Sequence, residues 1–335
     1  MKAFVVTDHG LAPQVQDIPE VAPGPGQVLI RIAACGLNFA DLLMAKGTYQ
    51  DTPALPFTLG MEIAGVIERH GDGVTAPAIG TRVAVFEGAG GLAEVGIFDA
   101  ARCVPIPASM PFVEAAGFIV AYGTSHLALT DRARLVKGER LLVLGAAGGV
   151  GLTAVELGAA MGAEVIAVAR GADKLAVARD AGATHLIDSD TADLRAEVKA
   201  LGGADVVYDA VGGDGFKAAL RAINPGGRLL VIGFASGDIP QIPANHLLVK
   251  NVDAIGFYWG GYLRWAPDRL AKSLAQLLKM YQAGALKPHI GATLPLDRAG
   301  EALALLRDRK VAGKVVVTMP DVAGATAPGR PAGSG

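Results

Sequence analysis

The run Leu-Leu-Val-Leu-Gly-Ala-Ala-Gly-Gly-Val-Gly at residues 141–151 constrains the fold more than any other part of this sequence. Apolar residues lead into a glycine-rich turn, and the residues after the turn continue in the pattern of an apolar helix. A buried strand, a tight turn and a helix N-terminus in that order form a site for the pyrophosphate of a dinucleotide. The alternative is a glycine-rich turn without a ligand, in a chain that contains 45 glycines. The residues expected to contact the cofactor here are Ala147, Gly148, Gly149, Val150 and Gly151.

The order of apolar and amphipathic segments around this turn predicts a parallel sheet. Short apolar runs alternate with longer segments such as Gly149 to Met161 and Asp173 to Ala181, which is typical of βαβ units wound on both faces of a sheet. We therefore predict an α/β fold class, with a doubly wound Rossmann domain over residues 122–258. Its strands are predicted at Leu141–Leu144, Glu164–Ala169, His185–Ile187, Asp205–Asp209, Arg228–Phe234 and Val252–Phe257.

The rest of the chain predicts a second, mostly β domain. Residues 1–121 contain short β-type runs separated by Gly and Pro, as in a small barrel or sandwich. Residues 259–320 are expected to return to this first domain with two helices and two strands. Residues 321–335 are mostly Gly, Ala, Pro and Ser, and we expect a disordered tail there.

Composition excludes several classes of protein. A chain of 335 residues that is 51% hydrophobic and 19% charged is globular and large enough for two domains. The net charge of −2, without a long basic run, argues against nucleic acid as the main partner. The longest charge-free candidate, residues 141–155, is shorter than the ~20 apolar residues that a membrane span requires. With no signal peptide pattern and only two cysteines, we expect a cytoplasmic protein.

Two cations after the second predicted strand indicate the choice of dinucleotide. Arg170 stands where NAD-binding folds place an acid for the ribose 2′-hydroxyl, and Lys174 follows four residues later. Together they can bind a 2′-phosphate, so NADPH is favoured over NADH. The alternative is that both are solvated surface cations, and Asp173 between them weakens the signal.

The segment Gly60-Met61-Glu62-Ile63-Ala64-Gly65, continuing to Gly71 and Val74, resembles the signature of zinc alcohol dehydrogenases. The fixed positions match, except that Met61 replaces the histidine that binds zinc. Upstream, Asn38 in Cys35-Gly36-Leu37-Asn38-Phe39-Ala40-Asp41 stands at the position of the family's first cysteine ligand. An amide and a thioether are poor ligands for Zn²⁺. We therefore predict that no metal is needed.

Both departures are typical of the quinone oxidoreductase and zeta-crystallin branch of the medium-chain dehydrogenase/reductase superfamily, which the chain resembles from Met1 to about Met319. The run Ala146-Ala147-Gly148-Gly149-Val150-Gly151 is similar to that branch's signature, although Glu156 replaces a common glutamine. The resemblance implies a GroES-like catalytic domain that the C-terminal segment completes. It also implies NADPH-dependent reduction of quinones by hydride or electron transfer.

The resemblance also suggests which residues act in catalysis. Asn38 and Asp41 match positions beside the nicotinamide and the substrate, and Tyr49 matches a tyrosine that lines the cleft. Related enoyl reductases use a tyrosine in the equivalent loop as a proton donor. From the residues alone, each has a simpler interpretation: a turn amide for Asn38, a helix cap for Asp41 and a surface tyrosine for Tyr49.

Further cofactor contacts follow from the same resemblance. Asp188 stands where several quinone reductases have a tyrosine near the 2′-phosphate, which weakens the case for strict NADPH selectivity. The remaining residues that match cofactor-binding positions are Thr124, Gly233, Phe234, Phe257 and Tyr258.

We also expect the protein to form a homodimer.

Three functions stay open on the sequence alone. The first is an NADPH-dependent quinone oxidoreductase, and the second is a reductase of enoyl thioesters or alkenals, whose acceptor is an α,β-unsaturated carbonyl compound. The third is a non-enzymatic NADPH-binding protein of the crystallin type. The acceptor that supports NADPH consumption, if any, distinguishes the three.

Overall fold

The computed structural model describes residues 1–320 and divides into two compact units. Within that range, unit 1 contains residues 1–119 and 288–320, and unit 2 contains residues 120–287. None of the helices in the described range combines the length and the apolar character that crossing a membrane requires.

The elements are numbered in chain order. The strands are β1 (Lys2–Val6), β2 (Gln14–Asp17), β3 (Gln27–Gly36), β4 (Phe57–Thr58), β5 (Glu62–His70), β6 (Arg82–Phe86), β7 (Val95–Asp99), β8 (Val104–Pro105), β9 (Arg140–Leu144), β10 (Glu164–Ala169), β11 (His185–Asp188), β12 (Ala204–Asp209), β13 (Ile223–Val231), β14 (Asp253–Gly256), β15 (Ile290–Pro295) and β16 (Lys314–Thr318). The α-helices are α1 (Phe39–Ala45), α2 (Phe112–Ala116), α3 (Ile119–Leu127), α4 (Gly149–Ala160), α5 (Ala172–Asp180), α6 (Leu194–Ala200), α7 (Gly213–Ala222), α8 (Ala244–Lys250), α9 (Tyr262–Trp265), α10 (Pro267–Gln282) and α11 (Ala299–Arg307). A π-helical turn spans Ala128–Arg132, and short 3₁₀ turns span Ala100–Arg102, Trp259–Gly261 and Leu296–Arg298.

Strand β3 organises unit 1. This strand of ten residues is almost entirely buried and pairs antiparallel with β5, β7 and β16. The larger sheet has the order β15-β16-β3-β5-β6-β8, and a smaller sheet has the order β2-β1-β4. In the register of the larger sheet, Gly36 lies opposite both Glu62 and Val316. The first residues of β5 and β16 therefore meet at the C-terminal end of β3.

Unit 2 is a six-stranded parallel sheet with the order β11-β10-β9-β12-β13-β14. Numbered from β9, this is the 3-2-1-4-5-6 order of a dinucleotide-binding sheet. The predicted fold class is confirmed. Strand β13 begins at Ile223, before the predicted start at Arg228. The Asn-Pro-Gly-Gly sequence at residues 224–227 lies within this strand but is typical of a turn, so the sequence did not predict this part of it.

The structure differs from the predicted domain boundaries in one segment. The sequence predicts a return to the first domain at residue 259, whereas residues 259–287 belong to unit 2 and the return begins at Pro288. Side-chain hydrogen bonds hold this segment: Ser273 Oγ lies 2.8 Å from His126 Nδ1, and the Tyr262 hydroxyl donates to Asp131 at 3.0 Å. These partners lie more than 130 residues away in sequence, so no local pattern marks them. The predicted tail, residues 321–335, lies outside the described residues.

Candidate active site

The glycine-rich turn of unit 2 follows strand β9 directly. Gly148 donates its backbone N–H to Gly145 O at 2.9 Å, and α4 begins at the next residue. A Cβ atom on Gly151 would lie 2.1 Å from Gly145 O, so only glycine lets the helix start this close to the strand. The first N–H groups of a helix have no partner within the helix and favour an anion. The turn therefore fits a dinucleotide pyrophosphate.

A buried hydroxyl network supports this turn. Ser125 Oγ lies 2.9 Å from the Val150 carbonyl, 2.8 Å from Thr153 Oγ1 and 3.0 Å from Tyr208 Oη. It thereby joins α3, the first turns of α4 and strand β12. Thr124, which the sequence predicts as a cofactor contact, is the buried neighbour of Ser125 on α3. The sequence analysis did not identify Ser125, Thr153 or Tyr208, because their spacing in the chain forms no motif.

The cations predicted to bind a 2′-phosphate lie beyond the end of β10. Arg170 is 62% exposed, and its Nε lies 3.0 Å from Asp190 Oδ1. Asp188 ends the neighbouring strand β11 and accepts the Gly171 N–H at 3.2 Å. A hydrogen bond from the Asp190 N–H, together with the one from Gly171, lowers the pKa of Asp188. Lys174 lies in the first turn of α5. The sequence analysis did not identify Asp190 as the partner of Arg170.

The remaining predicted cofactor residues follow the last strands of the sheet. Gly233 and Phe234 come after β13, and Gly233 donates its N–H to Asp209 O at 3.3 Å. Phe257 and Tyr258 come after β14, where Phe257 is buried. Since the carboxyl ends of parallel strands share one edge, these residues and the glycine turn lie along the same edge of unit 2. Their contact with a cofactor stays a prediction.

In unit 1, a buried ion pair holds the side chain of Asn38. The Lys314 ammonium donates to Glu62 Oε1 at 2.7 Å, to Asn38 Oδ1 at 2.9 Å and to Leu37 O at 2.7 Å. Asn38 Nδ2 in turn donates to Glu62 Oε1 at 2.9 Å. The side chains of Lys314 and Glu62 are 7% and 0% exposed, while Asn38 is half-buried. Sequence reasoning missed Lys314 and assigned no role to Glu62.

Asp41 is a fully buried carboxyl next to this cluster. Its Oδ2 accepts the Asn38 backbone N–H at 2.7 Å, which fixes the start of α1 and supports the helix-cap interpretation. Its Oδ1 has no hydrogen-bond partner among the described residues. Burial raises the pKa of Asp41 to about 7, against the opposing effects of the backbone N–H groups of Asn38 and Gly60 and of Lys314. Asp41 therefore changes its charge near neutral pH.

The structure brings Asn38 and Asp41 together and places Tyr49 in the turn that follows α1. Tyr49 is half-buried and packs against the core of unit 1. Its carbonyl accepts the Thr52 hydroxyl at 2.7 Å, which closes the turn. The catalytic roles of all three residues stay predictions.

The residues at the former zinc positions are engaged in other contacts. Met61 is buried in the core of unit 1, and Asn38 is bound to the ion pair. Across residues 1–320, no three His, Cys, Asp or Glu side chains gather closely enough to bind a metal ion.

Comparison with known proteins identifies the family. The family described as "Alcohol dehydrogenase GroES-like domain" matches residues 24–108, and the family described as "Zinc-binding dehydrogenase" matches residues 149–279. A quinone oxidoreductase-like protein 2 homolog of Nematostella vectensis is 42% identical over 88% of this chain and 82% of its own length. The human synaptic vesicle membrane protein VAT-1 homolog is 34% identical over 88% of this chain and 80% of its own length.

A solved structure agrees with this relationship. The quinone oxidoreductase from Thermus thermophilus, solved alone and with NADPH, superimposes with a TM-score of 0.85 at 35% identity. The similarity covers 95% of this chain and 100% of that one. A GroES-like unit together with a dinucleotide-binding sheet defines the class as medium-chain dehydrogenase/reductase. Within that class, the chain belongs to the zinc-independent quinone oxidoreductase branch, as the sequence resemblance predicted.

The buried carboxyl predicts how stability depends on pH. The folded-state pKa of Asp41 is about 7, while an aspartate in an unfolded chain has a pKa near 3.9, so the folded state binds the proton more tightly. Ionisation of Asp41 therefore destabilises the fold as the pH rises toward 7. Asparagine is a neutral isostere of the protonated carboxyl. We expect the stability of Asp41→Asn relative to wild type to increase by about 1.4 kcal/mol per pH unit between pH 5 and 7, and to level off above pH 8.

Urea denaturation from pH 5 to 9 measures this difference. Asp17→Asn, which changes an exposed carboxyl on β2, is the matched control and should follow the wild-type curve. Parallel curves for Asp41→Asn and wild type would show that Asp41 does not titrate in this range.

Proposed function

We propose that the protein is an NADPH-dependent, metal-independent oxidoreductase that reduces quinones. The observation that carries this proposal is the Asn38 amide, held by a buried ion pair at a position where zinc enzymes of the superfamily have a metal ligand. Without a metal to polarise the acceptor, hydrogen bonds from the protein must stabilise the charge that develops on its oxygen. A quinone suits this arrangement because its reduced anion can take a proton from water.

NADPH is the proposed cofactor. When bound, it supplies a hydride, so that one NADPH and one proton convert a quinone into a hydroquinone and NADP⁺. The turn at residues 145–151 would hold the pyrophosphate, and Arg170 and Lys174 would bind the 2′-phosphate. The Arg170–Asp190 ion pair is exposed and therefore contributes little to the stability of the fold. Arg170 can exchange Asp190 for the phosphate with little loss of free energy. The NADPH complex of the Thermus relative supports this choice.

A panel of acceptors tests the proposed reaction and the role of Tyr49. We expect NADPH oxidation with simple quinones to exceed that with alkenals or enoyl-CoA, and Tyr49→Phe to retain quinone turnover within about 3-fold. If the enzyme instead reduces C=C bonds with Tyr49 as proton donor, Tyr49→Phe should lower that turnover about 100-fold.

Steady-state NADPH oxidation measures both proteins, after cofactor titration has shown that the variant still binds NADPH. Tight NADPH binding without turnover of any acceptor would favour a non-enzymatic role and refute the proposed function.

A substitution at Arg170 tests the proposed preference for NADPH over NADH. Arg170→Ala should raise the Kd for NADPH about 10-fold or more, because it removes a charge-assisted contact, and should change the Kd for NADH less than about 3-fold. Arg179→Ala, at the other end of α5, is the matched control. Asp190→Asn should tighten NADPH binding, because it frees Arg170. Fluorescence titration with both cofactors measures these constants, and equal losses for the two would remove Arg170 from the 2′-phosphate.

A second copy of the chain is proposed as a partner along β14. Within the described residues, β14 pairs only with β13, and its other edge has no strand partner. Helix α8, which precedes β14, exposes the apolar side chains of Leu248 and Val249. An open strand edge and exposed apolar side chains both favour association. We also propose a cytoplasmic location, since both cysteines are free thiols, and cell fractionation tests it.

Sedimentation velocity tests the homodimer. Wild type should have twice the mass of the 34.1 kDa chain, and Leu248→Lys should shift it toward a single chain because it places a charge in the interface. Leu11→Lys, which changes another exposed leucine, in unit 1, is the control. A wild-type protein that sediments as one chain at micromolar concentration would contradict the homodimer.

A further inference from the structure

We propose that Lys314 is a positioning residue, which orients the Asn38 amide so that one of its N–H groups is available to bind the oxygen of the electron acceptor. This inference rests on the proposed function. Lys314 lies at the start of β16, and Asn38 lies between β3 and α1.

The contacts of the ammonium show that Lys314 acts through another residue. A lysine ammonium has three donors, and here they bind Glu62 Oε1, Asn38 Oδ1 and Leu37 O. Since its side chain is 7% exposed and all three donors are used, Lys314 has none left for a substrate.

The ion pair fixes which way the Asn38 amide points. Its oxygen faces the ammonium of Lys314, and its nitrogen faces the carboxylate of Glu62. A flipped amide would place N–H groups against the ammonium and the oxygen against the carboxylate, which are two repulsive contacts. Charge therefore selects one orientation.

In this orientation one N–H of the Asn38 amide makes no strong hydrogen bond. Asn38 Nδ2 carries two hydrogens, of which one binds Glu62 at 2.9 Å. The other contact of Nδ2, with Gly36 O at 3.5 Å, is too long for a full hydrogen bond. The ammonium on the amide oxygen also polarises the group, which makes its N–H a stronger donor. A preorganised donor of this kind stabilises the negative charge that hydride transfer places on an acceptor oxygen.

The cost of the ion pair agrees with a functional role. Burying two charges is expensive, and a well-packed apolar pair is often as stable or more stable. Core packing alone therefore gives little reason for a lysine and a glutamate at these positions of unit 1.

A double-mutant cycle tests the proposal. Lys314→Met alone leaves Glu62 as a buried unpaired charge and can unfold the protein, so the test variant is Lys314→Met/Glu62→Gln, which removes both charges. We expect this variant to lower kcat with a quinone about 10- to 100-fold, with KM and the Kd for NADPH within about 3-fold. Asn38→Ala should have a similar effect. Because Lys314 acts through Asn38, adding Asn38→Ala to the double variant should cause less than about 3-fold further loss.

A second measurement does not depend on turnover. The side-chain amide signals of Asn38 in a ¹H–¹⁵N spectrum, assigned by their loss in Asn38→Ala, should shift and exchange faster in the double variant. Lys310→Met, an exposed lysine of the same unit, is the control and should match wild type in both measurements.

The outcomes separate the two proposals. Independent, additive losses in the cycle, or unchanged Asn38 amide signals, would overturn the positioning role of Lys314. An inactive wild type in which the Asn38 signals still depend on the ion pair would refute the proposed reaction and leave the orientation by Lys314 supported.

Discussion

The contact between Lys314 and Glu62 is the interaction on which the candidate site of unit 1 depends. The two residues are 252 positions apart, yet both lie at strand ends beside the end of β3. Burying an ammonium and a carboxylate is favourable only when the two charges are closely paired and further hydrogen bonds are made. Here Asn38 and the Leu37 carbonyl supply such bonds. The position of the amide is thus a consequence of how β16 and β5 pair with β3.

With Asn38 and Met61 at the positions where the resemblance places zinc ligands, the positive charge in the candidate site of unit 1 comes from the Lys314 ammonium. A metal ion would polarise the acceptor oxygen directly, whereas a lysine whose donors are all used can act only through an intervening amide. Such an arrangement suits acceptors that need little activation. Quinones belong to that group because they are electron-poor before they bind.

The sequence predicted most of the fold but only part of the site. Strands of unit 2 were predicted closely because β9, β10 and β12 are continuous apolar runs between turns. For unit 1 the sequence predicted only a mostly β domain, because strands as short as β2, β4 and β8, with two to four residues each, carry no periodicity. Asn38 and Asp41 were found through the family motif. Lys314 was not found, since strand pairing brings its partners to it from more than 250 residues away. The contacts of Ser125 with Tyr208 and of Arg170 with Asp190 were missed for the same reason, over shorter separations in the sequence.

The path of the chain between the two units also determines when each can form during synthesis. Unit 2 is one continuous segment, residues 120–287, and contains every strand of its sheet. Unit 1 is divided, because β15 and β16 follow all of unit 2 in the sequence. A ribosome therefore releases a complete dinucleotide-binding unit while the central strand β3 still lacks one of its neighbours. Until β16 emerges, the Lys314 ammonium is not beside Glu62, and the candidate site of unit 1 is completed last.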